Sequence, residues 1–71
     1  MLSERPNGTS AGAMAEAFRR ARLAVLWERL GNGEAAAREY ARIGVLTGRD
    51  NPSYWRALGE RSLKTWVGAA N

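Results

Sequence analysis

The chain has 71 residues with no cysteine and no histidine, which excludes a disulfide, a thiolate or imidazole metal site, a Cys–His pair and a serine triad, and with them most enzyme chemistry. Of its 45% apolar residues thirteen are alanine, so few large side chains are left for the core of one small domain, and such a chain is expected to need a partner. A net charge of +4, with ten of eleven basic residues arginine, admits nucleic acid or an acidic protein surface as that partner and does not choose between them.

Residues 1–9, with Pro6, Asn7 and Gly8, have turn chemistry and no periodicity, and read as a flexible N-terminal arm ahead of a single small helical domain over 10–71. They lack a basic stretch followed by an apolar one, and no apolar run approaches the roughly 18 residues needed to span a bilayer. A cytoplasmic protein without membrane contact is expected.

Thr9 or Ser10 is placed as the N-cap of a first helix that runs to Leu30 and stops at Gly31. Gly31-Asn32-Gly33 is a tight break. A second helix carries Glu34 in its first turn and runs to about Thr47, with Gly48 as its C-terminal stop. Asn51 then caps a third helix with Pro52 at its first position, running to about Val67. Glu16–Arg20, Glu34–Arg38 and Glu60–Lys64, each with the acid four residues ahead of the base, support the three helices. No stretch alternates with the period of a strand. The fold class is all-α, a helical hairpin plus a third helix.

At about 100° per residue the first helix shows two apolar arcs. Met14, Phe18, Ala21 and Val25 form one; Leu23, Leu26, Trp27 and Leu30 form the other, with Arg22 and Arg29 between them. One amphipathic helix on one neighbour needs a single arc. The first arc is assigned to a dimer interface; the alternative is that the second and third helices cover both arcs within one chain. The second helix lines Ala36, Tyr40, Ile43 and Thr47 on one face. The third lines Trp55, Leu58, Gly59, Ser62 and Trp66, flanked by Leu63. Small residues at Ala36, Gly44 and Gly59 would let backbones approach closely.

Offset against itself so that Leu23-Ala24 lies on Leu58-Gly59, the chain shows a faint internal repeat. The order Leu23-Ala24-x2-Trp27-x3-Gly31-x4-Ala36-x3-Tyr40-x2-Ile43-x2-Leu46, then Trp55-x2-Leu58-Gly59, resembles the tetratricopeptide helix-turn-helix repeat, over about one and a half repeats. The family's proline after the second helix is matched only by Pro52, displaced several residues, and the linker carries one extra residue. The resemblance implies a hairpin whose Leu-Gly pair and aromatic fill one helix while an alanine and a later aromatic fill the next. Since about three repeats make a stable solenoid, it also implies a dimer or a bound partner. Gly48-Arg49, Pro52-x-Tyr54, Arg61-Ser62 and Trp66-x-Gly68 are similar in order to ribosome modulation factor and its relatives, with spacing off by one and different helices.

Paired carboxylates can act as acid and base, and Glu16, Glu28, Glu34, Glu39, Asp50 and Glu60 are the candidates. Each has a sufficient role as helix-surface or helix-start charge. Gly31-x-Gly33 follows a helix and is too short to cradle a phosphate. No catalytic residue is assigned.

The composition points to a non-enzymatic protein-binding regulator or inhibitor, a homodimer that docks on a host regulatory or machine protein and blocks its normal contact. In format it is similar to the small early proteins with which bacteriophages disable host regulators. Tyr, Trp and Arg dominate binding energy at protein interfaces, so the partner-binding residues are expected at Tyr54, Arg56, Arg49, Trp55, Arg38, Arg42 and Tyr40, with core as the alternative for Tyr40 and Trp55 and Tyr54 as the foremost contact. The alternative is a basic helix-turn-helix-like DNA- or RNA-binding or ribosome-binding protein, with Ser53, Tyr54 and Arg56 on the recognition helix. Its weakness is the interleaving of Arg19, Arg20, Arg22, Arg29, Arg38 and Arg42 with glutamates, which dilutes a phosphate-tracking stripe.

Overall fold

A computed structural model describes residues 11–70, with the side chains of 11–65. The N-terminal arm, its cap at Thr9 or Ser10, and the side chain of Trp66 lie outside those residues. Three helices follow one another: α1 (Ala11–Arg29), α2 (Gly33–Thr47) and α3 (Pro52–Ala70). No strand occurs among the described residues.

The helix ends are set by local chemistry. Gly31 takes a φ of 81°, its N–H donates to the Glu28 carbonyl, and the Asn32 N–H donates to the Trp27 carbonyl at 2.9 Å. These are the paired bonds of a glycine-terminated helix. Asn32 then caps α2, its Oδ1 accepting from the Ala35 N–H at 3.1 Å. The turn Gly31-Asn32-Gly33 therefore serves both helices. Gly48 closes α2 in the left-handed region at a φ of 75°, its N–H donating to the Gly44 carbonyl. Asn51 caps α3 as expected, its Oδ1 accepting from the Ser53 N–H at 3.0 Å, with Pro52 at the first helical position where no N–H is missed. α3 continues to Ala70, three residues past the expected end.

α1 is the central element. It packs against α2 as an antiparallel hairpin and against α3 on another side, while α2 and α3 barely touch. Ala17, Ala21, Ala24, Ala36, Tyr40, Ile43 and Trp55 make one buried cluster, with Met14, Phe18, Trp27 and Leu58 packed around it. Alanine at four of those seven positions lets the helices lie close, so a core short of large side chains remains filled.

This packing corrects the reading of the two arcs on α1. Ala21 and Val25 are buried within the chain, at 0% and 1% exposure, and Met14 and Phe18 lie against the same core. The arc assigned to a dimer interface is the one α3 covers. The physical reason is Gly59. A Cβ at that position would lie 2.5 Å from the Ala21 carbonyl oxygen and 3.0 Å from Val25 Cγ2, so only glycine lets α3 cross the backbone of α1 there. Trp55 is anchored one turn earlier, its ring edge-on to Phe18 at 5.9 Å and its indole N–H donating to the Arg49 carbonyl at 2.7 Å.

Candidate interaction surface

The arc left open is the other one. Leu26 is 40% and Leu30 76% exposed, and Leu23 and Trp27 are half-buried. Leu23, Leu26 and Leu30 recur at i, i+3 and i+7, the spacing that aligns side chains into a ridge along one helix face. With α2 and α3 on the other sides of α1, this ridge runs along the uncovered face of the central helix. The charged residues on that face and its edges are Arg19, Arg22, Arg29 and Glu16. Glu16 holds the Arg19 Nη2 at 2.6 Å and the Arg20 Nε at 2.9 Å. Arg22 reaches across to α3 and donates to the Ser62 hydroxyl at 3.0 Å.

The outer faces of the other two helices are polar by comparison. Glu34, Arg38 and Arg42 are exposed on α2, as are Glu60, Arg61 and Lys64 on α3. Val45, at 79% exposure, is the only large apolar side chain among the described residues exposed on α2.

The residues expected at a partner surface fall into four places. Arg49 and Tyr54 meet at the turn into α3, where the guanidinium stacks on the ring at 4.7 Å and the ring stands edge-on to Trp55 at 5.1 Å. Tyr54 is 42% exposed, whereas Trp55 and Tyr40 are buried at 1% and 5%. The last two are core residues, because the α1–α2 and α1–α3 contacts close over them. Arg38 lies along α2 in a pair with Glu34 at 3.0 Å, and Arg42 is exposed on the same helix.

Arg56 is engaged inside the chain. Its Nε and Nη2 donate to the Glu28 carboxylate at 2.9 and 2.7 Å, and its guanidinium lies 5.6 Å from the centre of the Tyr40 ring. This fork-on-carboxylate contact holds the Glu28 carboxyl below its ordinary range, because it favours the charged form. Burial pushes the Tyr40 phenol up, with the Glu28 charge adding to it. The three groups line an open groove of about 420 Å³, together with Ala36, Ala37, Ala41 and Asp50. A second cross-helix pair, Arg20 Nη1 to Glu39 at 2.9 Å, ties α1 to α2. Neither pair is visible in the sequence, since 28 and 19 residues separate the partners. Of the three expected helix-surface pairs, Glu16–Arg20 and Glu34–Arg38 form. Glu60–Lys64 is not among the ion pairs of the described residues.

Among the described residues no group of three or more carboxylates stands together to hold a metal ion, and no helix is long and apolar enough to cross a membrane. No known protein family, curated protein or solved structure matches the chain.

Proposed function

We propose that the chain is a small non-enzymatic protein-binding module, a regulator or inhibitor that docks on another protein and blocks that protein's normal contact. The observation that carries this reading is the leucine ridge. Within one chain, a helix held on two sides by its neighbours has no internal use for Leu26 and Leu30 in water, and a contiguous apolar strip edged by polar groups marks an interaction surface. The Arg49–Tyr54 stack supplies a second exposed contact of a type favoured at interfaces. The placement of α1 between α2 and α3 is compatible with a tetratricopeptide-like hairpin followed by the first helix of a next repeat, a fold that presents rather than encloses its ligand.

The test is recovery of a binding partner from lysate of the source cells at moderate salt by the tagged chain, its Leu26→Glu/Leu30→Glu variant and its Val45→Glu variant. A partner retained by the wild type and by Val45→Glu, and lost from the double variant, supports the module. Equal recovery by all three removes the ridge from the account. The nucleic-acid reading rests on Arg29, Arg42, Arg49, Arg61 and Lys64, which stand outside the ion pairs of the described residues. Those five are spread over all three helices and the turn before α3, and Arg56, placed on the recognition helix, is occupied by Glu28. Retention on bulk DNA or RNA that falls about 10³-fold between 50 and 200 mM salt would favour that reading instead.

A further inference from the structure

We infer that the occupant of the leucine ridge is an acidic amphipathic helix of another protein. The inference rests on the protein-binding reading above and adds the chemistry of the partner. The ridge runs along a helix, with Leu23, Leu26 and Leu30 repeating at i, i+3 and i+7, so the surface it offers is a narrow strip about two turns long. A second helix lying along that strip meets it with its own i, i+3, i+4 and i+7 side chains.

Charge selects among the helices that could do so. The strip is edged by Arg19, Arg22 and Arg29, with Glu16 the single acid on that face, and Glu16 is already shared by Arg19 and Arg20. The chain as a whole carries +4. Arg19 is held by Glu16 and Arg22 by Ser62, while Arg29 stands outside the ion pairs of the described residues, so a partner helix with glutamate or aspartate beside its apolar stripe would meet a face of net positive charge with Arg29 placed to take a carboxylate. A second copy of this chain laid on the ridge would bring a second set of the same three arginines to the same edges, and like charges across a contact cost association. An anionic membrane surface would attract the arginines equally. The apolar strip is too narrow for one: Leu26 is less than half exposed and Leu23 and Trp27 are sunk among their neighbours, where a membrane-surface helix presents a broad apolar face.

The experiment titrates the full chain with a labelled helical peptide of about 18 residues, five turns, carrying leucine at i, i+3, i+4 and i+7 with glutamate and alanine elsewhere. A twin with lysine for every glutamate, and vesicles of phosphatidylglycerol, are titrated alongside. The acidic peptide is expected to bind at least about tenfold more tightly than its lysine twin, a preference that shrinks as salt is raised. Binding is expected to be lost in Leu26→Glu/Leu30→Glu and weakened in Arg29→Glu, and kept in Val45→Glu, all at solvent-exposed positions whose substitution leaves the helical circular dichroism unchanged. Equal affinity for the two peptides, with loss in the double leucine variant, overturns the acidic partner and leaves the docking ridge standing. No binding of either peptide, a preference for vesicles, or chain self-association that the double variant abolishes overturns the inference itself.

Discussion

Gly59 of α3 lies directly on the backbone of Ala21 in α1, so close that a Cβ on the glycine would sit 2.8 Å from the Ala21 carbonyl carbon. That contact decides which face of α1 is spent on the chain's own core and which is left to solvent. A methyl group there meets a backbone that cannot rotate away, so Gly59→Ala is expected to destabilise the fold by about 1–3 kcal/mol despite the higher helix propensity of alanine. A thermal melt should record a fall of roughly 5–15 °C in Tm for a domain of this size. Gly12→Ala, at a position where nothing stands within 4 Å, should hold or raise the Tm and so separates the crossing contact from a general response to losing glycine.

Trp55 makes three contacts that depend on one another: the edge of Phe18, the edge of Tyr54 and the Arg49 carbonyl. Trp55→Ala removes the largest fully buried side chain among the described residues and is expected to cost about 3–5 kcal/mol, most of the stability of a domain this small. Trp55→Phe keeps most of the volume and loses the indole donor, leaving the Arg49 carbonyl with the Thr47 hydroxyl alone, at 3.2 Å. Chemical denaturation should place it between the wild type and the alanine variant.

The helix boundaries were legible because they rest on neighbours in sequence. Gly31 and Gly48 at positive φ, Asn51 ahead of Pro52, and the two acid-first pairs that form are all decided within five residues. The role of Asn32 as a cap was hidden inside a Gly-Asn-Gly break that reads as a turn. The two arcs of α1 were also legible, but not their assignment. A projection says which side chains share a face, and only the crossing at Gly59 says which face α3 will cover. The same limit hid Glu28–Arg56, which occupies within the chain an arginine that composition alone assigns to a partner.

The Glu28–Arg56 pair has a pH signature. Glu28 titrates below its ordinary 4.5 in the folded chain because Arg56 donates to its carboxylate. A carboxyl lowered on folding contributes stability that is fully present above the unfolded pKa and is lost as pH falls through the folded one. Glu28→Gln should therefore cost up to about 1 kcal/mol at pH 7, an amount limited by the solvent that both side chains keep. The gap between variant and wild type should narrow as pH falls below the ordinary 4.5 and through the lowered value of the folded chain. A gap that stays constant down to acid pH would assign the loss to packing and not to the charged pair.

Asn51 is placed to test how far local capping contributes to the turn that carries Arg49 and Tyr54. Asn51→Ala removes the acceptor of the Ser53 N–H and is expected to cost about 1 kcal/mol. It should also raise amide exchange at the start of α3 more than in α1, because an uncapped first turn frays before the helix body does.

The central claim is that the uncovered face of α1 is the interaction surface. Amide shift mapping on the isotope-labelled chain, with the acidic leucine peptide added to saturation, reads this directly. Perturbations are predicted to concentrate between Arg19 and Leu30 and to leave Glu60, Arg61 and Lys64 on the outer face of α3 unmoved. Perturbations centred on Arg49, Tyr54 and the outer face of α3, with Leu23, Leu26 and Leu30 unchanged, would contradict the account.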